Sequence, residues 1–238
     1  MRLDKFLANM GKGSRKDIRI FVKAGIVTID GKPAKSFDRQ IDPEKNIVKL
    51  KGELVQYKPF VYLMMNKPAG VLSATEDSHG KRTAVDLVGE EYSMYDLSPA
   101  GRLDLDTEGF LLLTNDGELM NSVLKARNYH EKEYEVRVQS RITADFLRGM
   151  SQGVWLEELG QKTRPCKIKK IDAYTFRIIL TQGLNRQICR MCAYFGYRVV
   201  TLKRIRIMNI ELGDLREGEW REVKGRELKA LRGGLSHE

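Results

Sequence analysis

The stretch of this chain that decides its fold is PAGRLDLDTEGFLLLTNDG, residues 99–117. Its apolar run from Phe110 to Leu113 is typical of a buried strand, and the Asn-Asp-Gly that follows has the chemistry of a tight turn. The loop before the strand carries four charged side chains in seven residues, namely Arg102, Asp104, Asp106 and Glu108. The residues alone leave three interpretations of this loop open: a nucleophile or general base beside an apolar strand, a metal-binding loop, or a solvated turn.

Length and composition indicate a soluble globular protein with a polyanionic partner. The 238 residues are enough for one large domain, or for a small and a medium one. The sequence contains no run of about 18 apolar residues, so we expect no membrane span. The N-terminus lacks the apolar core of a signal peptide. Three cysteines make no disulfide framework, which fits a reducing cytoplasm. Cys189 and Cys192 form a C-x-x-C without a second pair, so we expect no metal site.

The basic charge is concentrated at the N-terminus. The net charge is +10, and residues 1–58 hold 14 Lys/Arg against 7 Asp/Glu. Leu3, Phe6 and Leu7 fall on one face of a first predicted helix, and Ser14 with Asp17 forms a capping box that begins a second. The second helix presents a basic surface made of Arg15, Lys16, Arg19 and Lys23. This surface is either a solvated face or a phosphate-binding surface for RNA.

Three further segments carry polar motifs at the ends of predicted strands. The apolar run of residues 61–65 ends in NKPAG, residues 66–70, which predicts an exit turn, and the polar residues 73–82 predict a surface loop. Tyr134 lies in an alternating strand pattern and points inward, either as a core aromatic or as a functional ring. A strand ends near Gly183 in GLNRQICRM, residues 183–191, which begins a helix.

These motifs resemble those of a known enzyme family. The Gly-Arg-Leu-Asp of residues 101–104, followed by Thr107 and Gly109, resembles the active-site motif of pseudouridine synthases. NKPAG, Lys132-x-Tyr134 and GLNRQI resemble the other motifs of the RsuA/RluB/RluE/RluF family of ribosomal RNA pseudouridine synthases, most of all the RluF type. The N-terminal segment, including residues 2–7 and 25–31, resembles an S4 RNA-binding domain.

The resemblance implies an α+β fold in two parts. A small S4 module of the αL type is expected over residues 1–59. A pseudouridine synthase domain is expected over residues 60–238, with a central mixed, mostly antiparallel sheet and an active cleft across its centre. The implied reaction isomerises a uridine of ribosomal RNA, most closely the 23S type. It needs no cofactor and no metal, and we expect a cytoplasmic monomer without a membrane partner.

Site residues follow from the same resemblance. Asp104 is the expected nucleophile, attacking either ribose C1′ or uracil C6, while Asp106 and Glu108 cap or solvate the loop. Tyr134 stacks on the extruded uracil, Leu202 covers its far side, and Arg102 enters the vacated space. The remaining expected RNA contacts are Arg15, Lys16, Arg19, Arg186 and Arg190.

One position departs from the family pattern. Cys189 stands where the family generally has a basic residue that pairs with the catalytic Asp, and a neutral thiol cannot make that pair. Arg186 or Lys203 could serve instead, or the site could tolerate the loss. This departure keeps open the interpretation that the chain is a catalytically weak RNA-binding protein of ribosome assembly. A 16S target also stays open, as does a metal-dependent RNA enzyme that uses the carboxylates of the loop.

Overall fold

The chain forms two compact units. The computed structural model describes residues 1–89, 92–93, 95–124 and 129–233. One unit comprises Met1–Val61 with Val88–Leu97, and the other comprises Tyr62–Leu87 with Ser98–Glu238. The division expected between residues 59 and 60 stays a prediction. Within the described ranges, every helix is too short or too polar to cross a bilayer.

The first unit packs two helices on a small antiparallel sheet. Its elements are α1 (Leu3–Asn9), α2 (Arg15–Lys23), β1 (Val27–Ile29), β2 (Lys32–Pro33), β3 (Val48–Leu50) and β4 (Glu53–Leu54), with strand order β2-β1-β3-β4. The predicted capping box of α2 is confirmed: Ser14 Oγ accepts from the Asp17 backbone, and Asp17 Oδ2 accepts from the Ser14 backbone at 2.9 Å. Leu3, Phe6 and Leu7 are buried as predicted.

The second unit is built on one large sheet. Its strands are β5 (Tyr62–Lys67), β6 (Ser98–Pro99), β7 (Glu108–Thr114), β8 (Lys132–Val138), β9 (Trp155–Leu156), β10 (Gln161–Lys162), β11 (Lys167–Lys170), β12 (Thr175–Leu180), β13 (Val199–Ile207), β14 (Ile210–Glu211) and β15 (Trp220–Glu222). Its helices are α3 (Gly117–Leu124), α4 (Ala144–Ser151), α5 (Gln187–Tyr194) and α6 (Gly225–Gly233), with short 3-10 turns at Val85–Leu87 and Glu157–Leu159.

The sheet runs β11-β12-β8-β13-β7-β5-β15, with β14 on β13 and β6 on β7. Among the described strands of this sheet, only the β13–β7 pair is parallel. This confirms the expected mixed, mostly antiparallel sheet and the α+β class. One core lies where α4 and α5 cover β8 and β12, and a second lies where α3 and α6 join β5 and β7. The central strand β13 contributes to both cores.

The parallel pair depends on a glycine. Gly109 of β7 lies opposite Arg204 of β13 and adopts a φ of +102°. A Cβ on Gly109 would overlap the backbone oxygen of Arg204 and lie 2.8 Å from its backbone nitrogen. Only glycine therefore lets the two backbones approach this closely.

Three local predictions need correction. Asn66 and Lys67 were expected in the exit turn, but both belong to β5 and are buried. They pair with Phe110 and Gly109 of β7, so long-range pairing extends the strand beyond its apolar run. The sequence of residues 83–88 predicts a short helix, but only the 3-10 turn Val85–Leu87 forms there. The sequence of residues 119–126 also predicts a helix; the observed helix begins earlier, at Gly117, and residues 125 and 126 lie outside the described ones.

Replacing Gly109 with alanine should destabilise the second unit by at least about 2 kcal/mol, because the new methyl group meets backbone and the φ is unfavourable. Urea unfolding measures the change. Gly117→Ala is the matched control: its Cβ would meet nothing within 4 Å at the start of α3. Its stability should stay within about 1 kcal/mol of the parent. Equal stability of Gly109→Ala and the parent would contradict the close approach.

Candidate active site

The loop that carries Asp104 is held by hydrogen bonds to its backbone on both sides of this residue. Ser73 Oγ accepts from the Leu103 backbone N–H and donates to the Leu103 carbonyl, both at 3.0 Å. The Gly70 N–H donates to the Leu105 carbonyl at 2.8 Å. Leu103 is also buried. The backbone of both neighbours of Asp104, Leu103 and Leu105, is thus held in place, which restricts where the Asp104 side chain can lie.

A buried lysine supports the turn beneath this loop. Lys67 has no exposed surface, and its Nζ donates to the carbonyls of Pro68 and Val71 at 2.7 and 2.8 Å. Burial lowers the pKa of Lys67 to about 8, while Glu108 and Asp106 favour its charge. Lys67 therefore braces the Pro68–Val71 turn that contacts the loop through Gly70.

The loop borders a cavity of about 480 Å³ at the centre of the large sheet. Its wall is formed by residues 100–104 and 107, 132 and 134 of β8, 180 of β12, 182–188, and 202 and 204 of β13. The volume lies in the range of about 300–1,000 Å³ that is typical of small-molecule sites. Asp104, Tyr134, Leu202 and Arg102 therefore border one cavity, although they come from three separate parts of the sequence.

Arg186 is the cation next to the carboxylates of the loop. It precedes α5 with a left-handed φ of +48°, and its Nη2 lies 3.2 Å from Asp106 Oδ2. Asp106 first, and also Cys189 and Asp104, raise the pKa of Arg186. Burial raises the pKa of the Cys189 thiol, so this side chain is neutral near pH 7. Of the two candidates for the missing basic residue, Arg186 borders the cavity, and Lys203 is not in its described wall.

The other expected RNA contacts are not part of the described wall of this cavity. Arg190 is outside the described wall and is engaged by Asn185 and by an ion pair with Glu158. Arg15, Lys16 and Arg19 are exposed on α2 of the first unit. Among the residues that the structure describes, no three His, Cys, Asp or Glu side chains are grouped so that they could hold a metal ion.

Two further cations border the cavity. Lys132 and Arg204 belong to β8 and β13, and neither forms an ion pair with a described carboxylate. Burial first, and then the charge of Arg204, lower the pKa of Lys132 to about 8. Sequence reasoning gave no role to Ser73, Lys67 or Arg204. The only sequence signals for Lys67 and Arg204 are that Lys67 lies in NKPAG and that Arg204 lies two residues after Leu202.

Comparison with known proteins shows which family the chain belongs to. A model of the RNA pseudouridylate synthase family matches residues 61–194, more than half of the chain, and a model of the S4 domain matches residues 1–47. The chain belongs to the RNA pseudouridylate synthase family. It is therefore an RNA pseudouridine synthase with an N-terminal S4 domain, as the motifs predicted.

Individual relatives match over nearly the whole chain. The RNA pseudouridine synthase YtzG of Bacillus subtilis is 48% identical over 97% of this chain and 98% of its own length. The dual-specificity RNA pseudouridine synthase RluF of Escherichia coli K12 is 43% identical over 96% of this chain and 77% of its own length. A crystal structure of a pseudouridylate synthase superposes with a TM-score of 0.68 at 30% identity, covering 97% of this chain and 99% of the other.

Lys132 should make stability depend on pH in a defined direction. Its folded pKa of about 8 lies below the ordinary value of 10.5, so between these values the unfolded chain binds more protons and stability rises with pH. In Lys132→Met this contribution is absent. The unfolding free energy of the parent, relative to the variant, should therefore rise by on the order of 1 kcal/mol from pH 7 to pH 9.5.

Urea unfolding of both proteins at the two pH values measures this difference. Because the variant shares all other titrating groups with the parent, the cysteines and Tyr62 cancel in the comparison. A difference that stays constant, or that falls as the pH rises, would contradict the burial of a charged Lys132.

Proposed function

We propose that this synthase isomerises a specific uridine of ribosomal RNA, in 23S RNA, with Asp104 as the nucleophile. The observation that supports the proposal is the shared cavity: Asp104, Tyr134 and Leu202 border one space large enough for a nucleoside. The S4 domain and the basic N-terminal charge supply the affinity for RNA. The 23S assignment rests on the resemblance of the motifs to the RluF type.

The reaction balances without any other reactant. The N1–C1′ bond of the uridine breaks, the uracil turns, and a C5–C1′ bond forms. C5 loses its proton and N1 gains one, so no redox change and no group donor are required. Asp104 forms the covalent intermediate at C1′ or C6 that makes this route accessible. We infer that the enzyme uses no cofactor.

The other residues of the cavity hold the extruded nucleotide. A uridine inside structured RNA has to leave its stack before Asp104 can reach it. Tyr134 offers a ring on which the uracil stacks, and Leu202 covers the other face. Arg102, which is exposed at the border of the cavity, fills the space that the base leaves in the RNA.

Arg186 takes the role of the basic residue that the family generally has at the position of Cys189. Its charge acts on Asp106 and Asp104, and its position before α5 places it in the cavity wall. Half of its side chain is exposed, which leaves it free to contact a phosphate of the RNA as well. We propose that Arg15, Lys16 and Arg19 bind phosphates, that Arg190 is a further RNA contact, and that the enzyme acts as a cytoplasmic monomer.

Two variants should separate chemistry from binding. Asp104→Asn should abolish pseudouridine formation while its Kd for a 23S transcript stays close to that of the parent, because the amide keeps the size but loses the nucleophile. Changing Arg15, Lys16 and Arg19 to Gln should weaken binding and lower the salt slope of the Kd by up to roughly one unit per lost phosphate contact. Its rate at saturating RNA should stay near that of the parent.

Asp106→Asn is the matched control, because its carboxylate lies two residues away in the same loop. It should retain most of the activity. Pseudouridine formation by Asp104→Asn would remove Asp104 from the role of nucleophile. Mapping pseudouridines in total RNA from a strain without this gene identifies the target uridine, and a lost site in 16S RNA alone would contradict the 23S assignment.

A further inference from the structure

We propose that Arg204 binds a carbonyl oxygen of the target uracil through its Nη2 group, from the same cavity wall as Lys132. This inference rests on the proposed function, since it names a contact to the substrate of that reaction. It adds a residue that reads the base itself, beside the nucleophile and the stacking ring.

The first observation is an unused donor. Arg204 is only 3% exposed, and its Nε donates to the Phe110 carbonyl at 2.8 Å. Its Nη2 is buried and has no hydrogen-bond partner among the described residues. Buried donors are costly when they lack an acceptor, and native structures rarely leave one unfilled. Arg204 borders the cavity, and we infer that a molecule inside the cavity supplies the missing acceptor.

The second observation is the position of Arg204 in the sheet. It pairs directly with Tyr134 across β8 and β13, and Leu202 lies two residues before it on the same strand. A uracil held between Tyr134 and Leu202 therefore lies next to Arg204, which is the strand neighbour of both residues. The ring edge of uracil carries two carbonyl oxygens, O2 and O4, and both are acceptors.

A base fits this donor better than a phosphate does. Phosphates stay on the RNA backbone outside the cavity, where exposed arginines such as Arg102 can reach them. Arg204 is accessible only to a group that enters the cavity, and the flipped base is that group. Arg186 is already paired with Asp106 and Arg102 is exposed, so Arg204 and Lys132 are the less exposed cations of this wall without a described ion pair.

The contact also suits the chemistry. When the N1–C1′ bond breaks, its electron pair remains on the uracil, and the charge spreads onto O2 and O4. A fixed, buried N–H donor stabilises such a developing charge more than it stabilises the neutral base. Arg204 therefore contributes mainly to the rate of the bound complex and little to RNA affinity.

The experiment compares Arg204→Met with Arg206→Met. Arg206 is a matched control on the same strand: it is also mostly buried, but it is paired with Glu131 and Glu133 and lies outside the described wall. Single-turnover rates are measured at saturating 23S transcript, well below the melting temperature of each variant. Arg204→Met should react roughly 100-fold more slowly than the parent. Arg206→Met should lose stability but keep its rate within about threefold of the parent.

A second arm locates the contact on the base. Transcripts with 2-thiouridine or 4-thiouridine at the target replace one oxygen with sulfur, a weak acceptor. One of them should slow the parent about tenfold and slow Arg204→Met no further, since coupled groups do not act additively. The salt slope of the Kd should be the same for the parent and Arg204→Met.

Four results would overturn the inference. The first is a folded Arg204→Met that reacts at the rate of the parent, and the second is equal slowing of Arg204→Met and Arg206→Met. The third is an equal effect of each thiouridine on the rates of the parent and of Arg204→Met. The fourth is a salt slope of the Kd that is lower by about one unit in Arg204→Met, which would indicate a phosphate contact. A parent enzyme that forms no pseudouridine would instead contradict the proposed function, so the two failures are distinguishable.

Discussion

The close approach of β7 and β13 at Gly109 and Arg204 is the constraint on which the active cavity depends. It permits the parallel pair at the centre of an otherwise antiparallel sheet. The loop with Asp104 enters β7 directly before this glycine, and Tyr134 pairs with Arg204 on the other side of β13. Asp104 and Tyr134 therefore reach the same cavity from opposite sides of one strand. A side chain at position 109 would push these two sides apart.

The cavity combines opposite charges at different depths. Asp106 and Arg186 are paired and largely exposed, whereas Lys132 and Arg204 lie deeper and have no described carboxylate partner. The mutual repulsion of these two cations lowers the pKa of Lys132 further than burial alone. An electron-rich base edge would relieve that repulsion. The site is thus better suited to a substrate that gains negative charge than to one that loses it.

Local chemistry determined what the sequence could predict. The capping box of Ser14 and Asp17 and the strand around Phe110 to Leu113 follow from residues close in the chain, and both are confirmed. The family motifs predicted Asp104, Tyr134 and Leu202 as site residues, and all three border one cavity. Their individual roles in the reaction stay predictions.

Contacts between distant residues could not be predicted. Ser73 lies 30 residues from the backbone it holds, and Arg204 lies 94 residues from the carbonyl it binds. The polar residues 73–82 predict a surface loop, and no residue close to Ser73 in the chain indicates its contact with Leu103. Lys67 is predicted in an exit turn because Pro68 and Gly70 follow it after the apolar run. Pairing with Gly109 of β7 instead keeps Lys67 in a buried strand, although lysines are seldom buried.

A crystal structure of Asp104→Asn bound to its substrate transcript would test the central claim most directly. We expect the target uridine to be flipped out of the RNA, with its ring on Tyr134 and with C1′ or C6 about 3–3.5 Å from the side chain at position 104. A target uridine that remains stacked in the RNA, or that binds outside this cavity, would contradict the account.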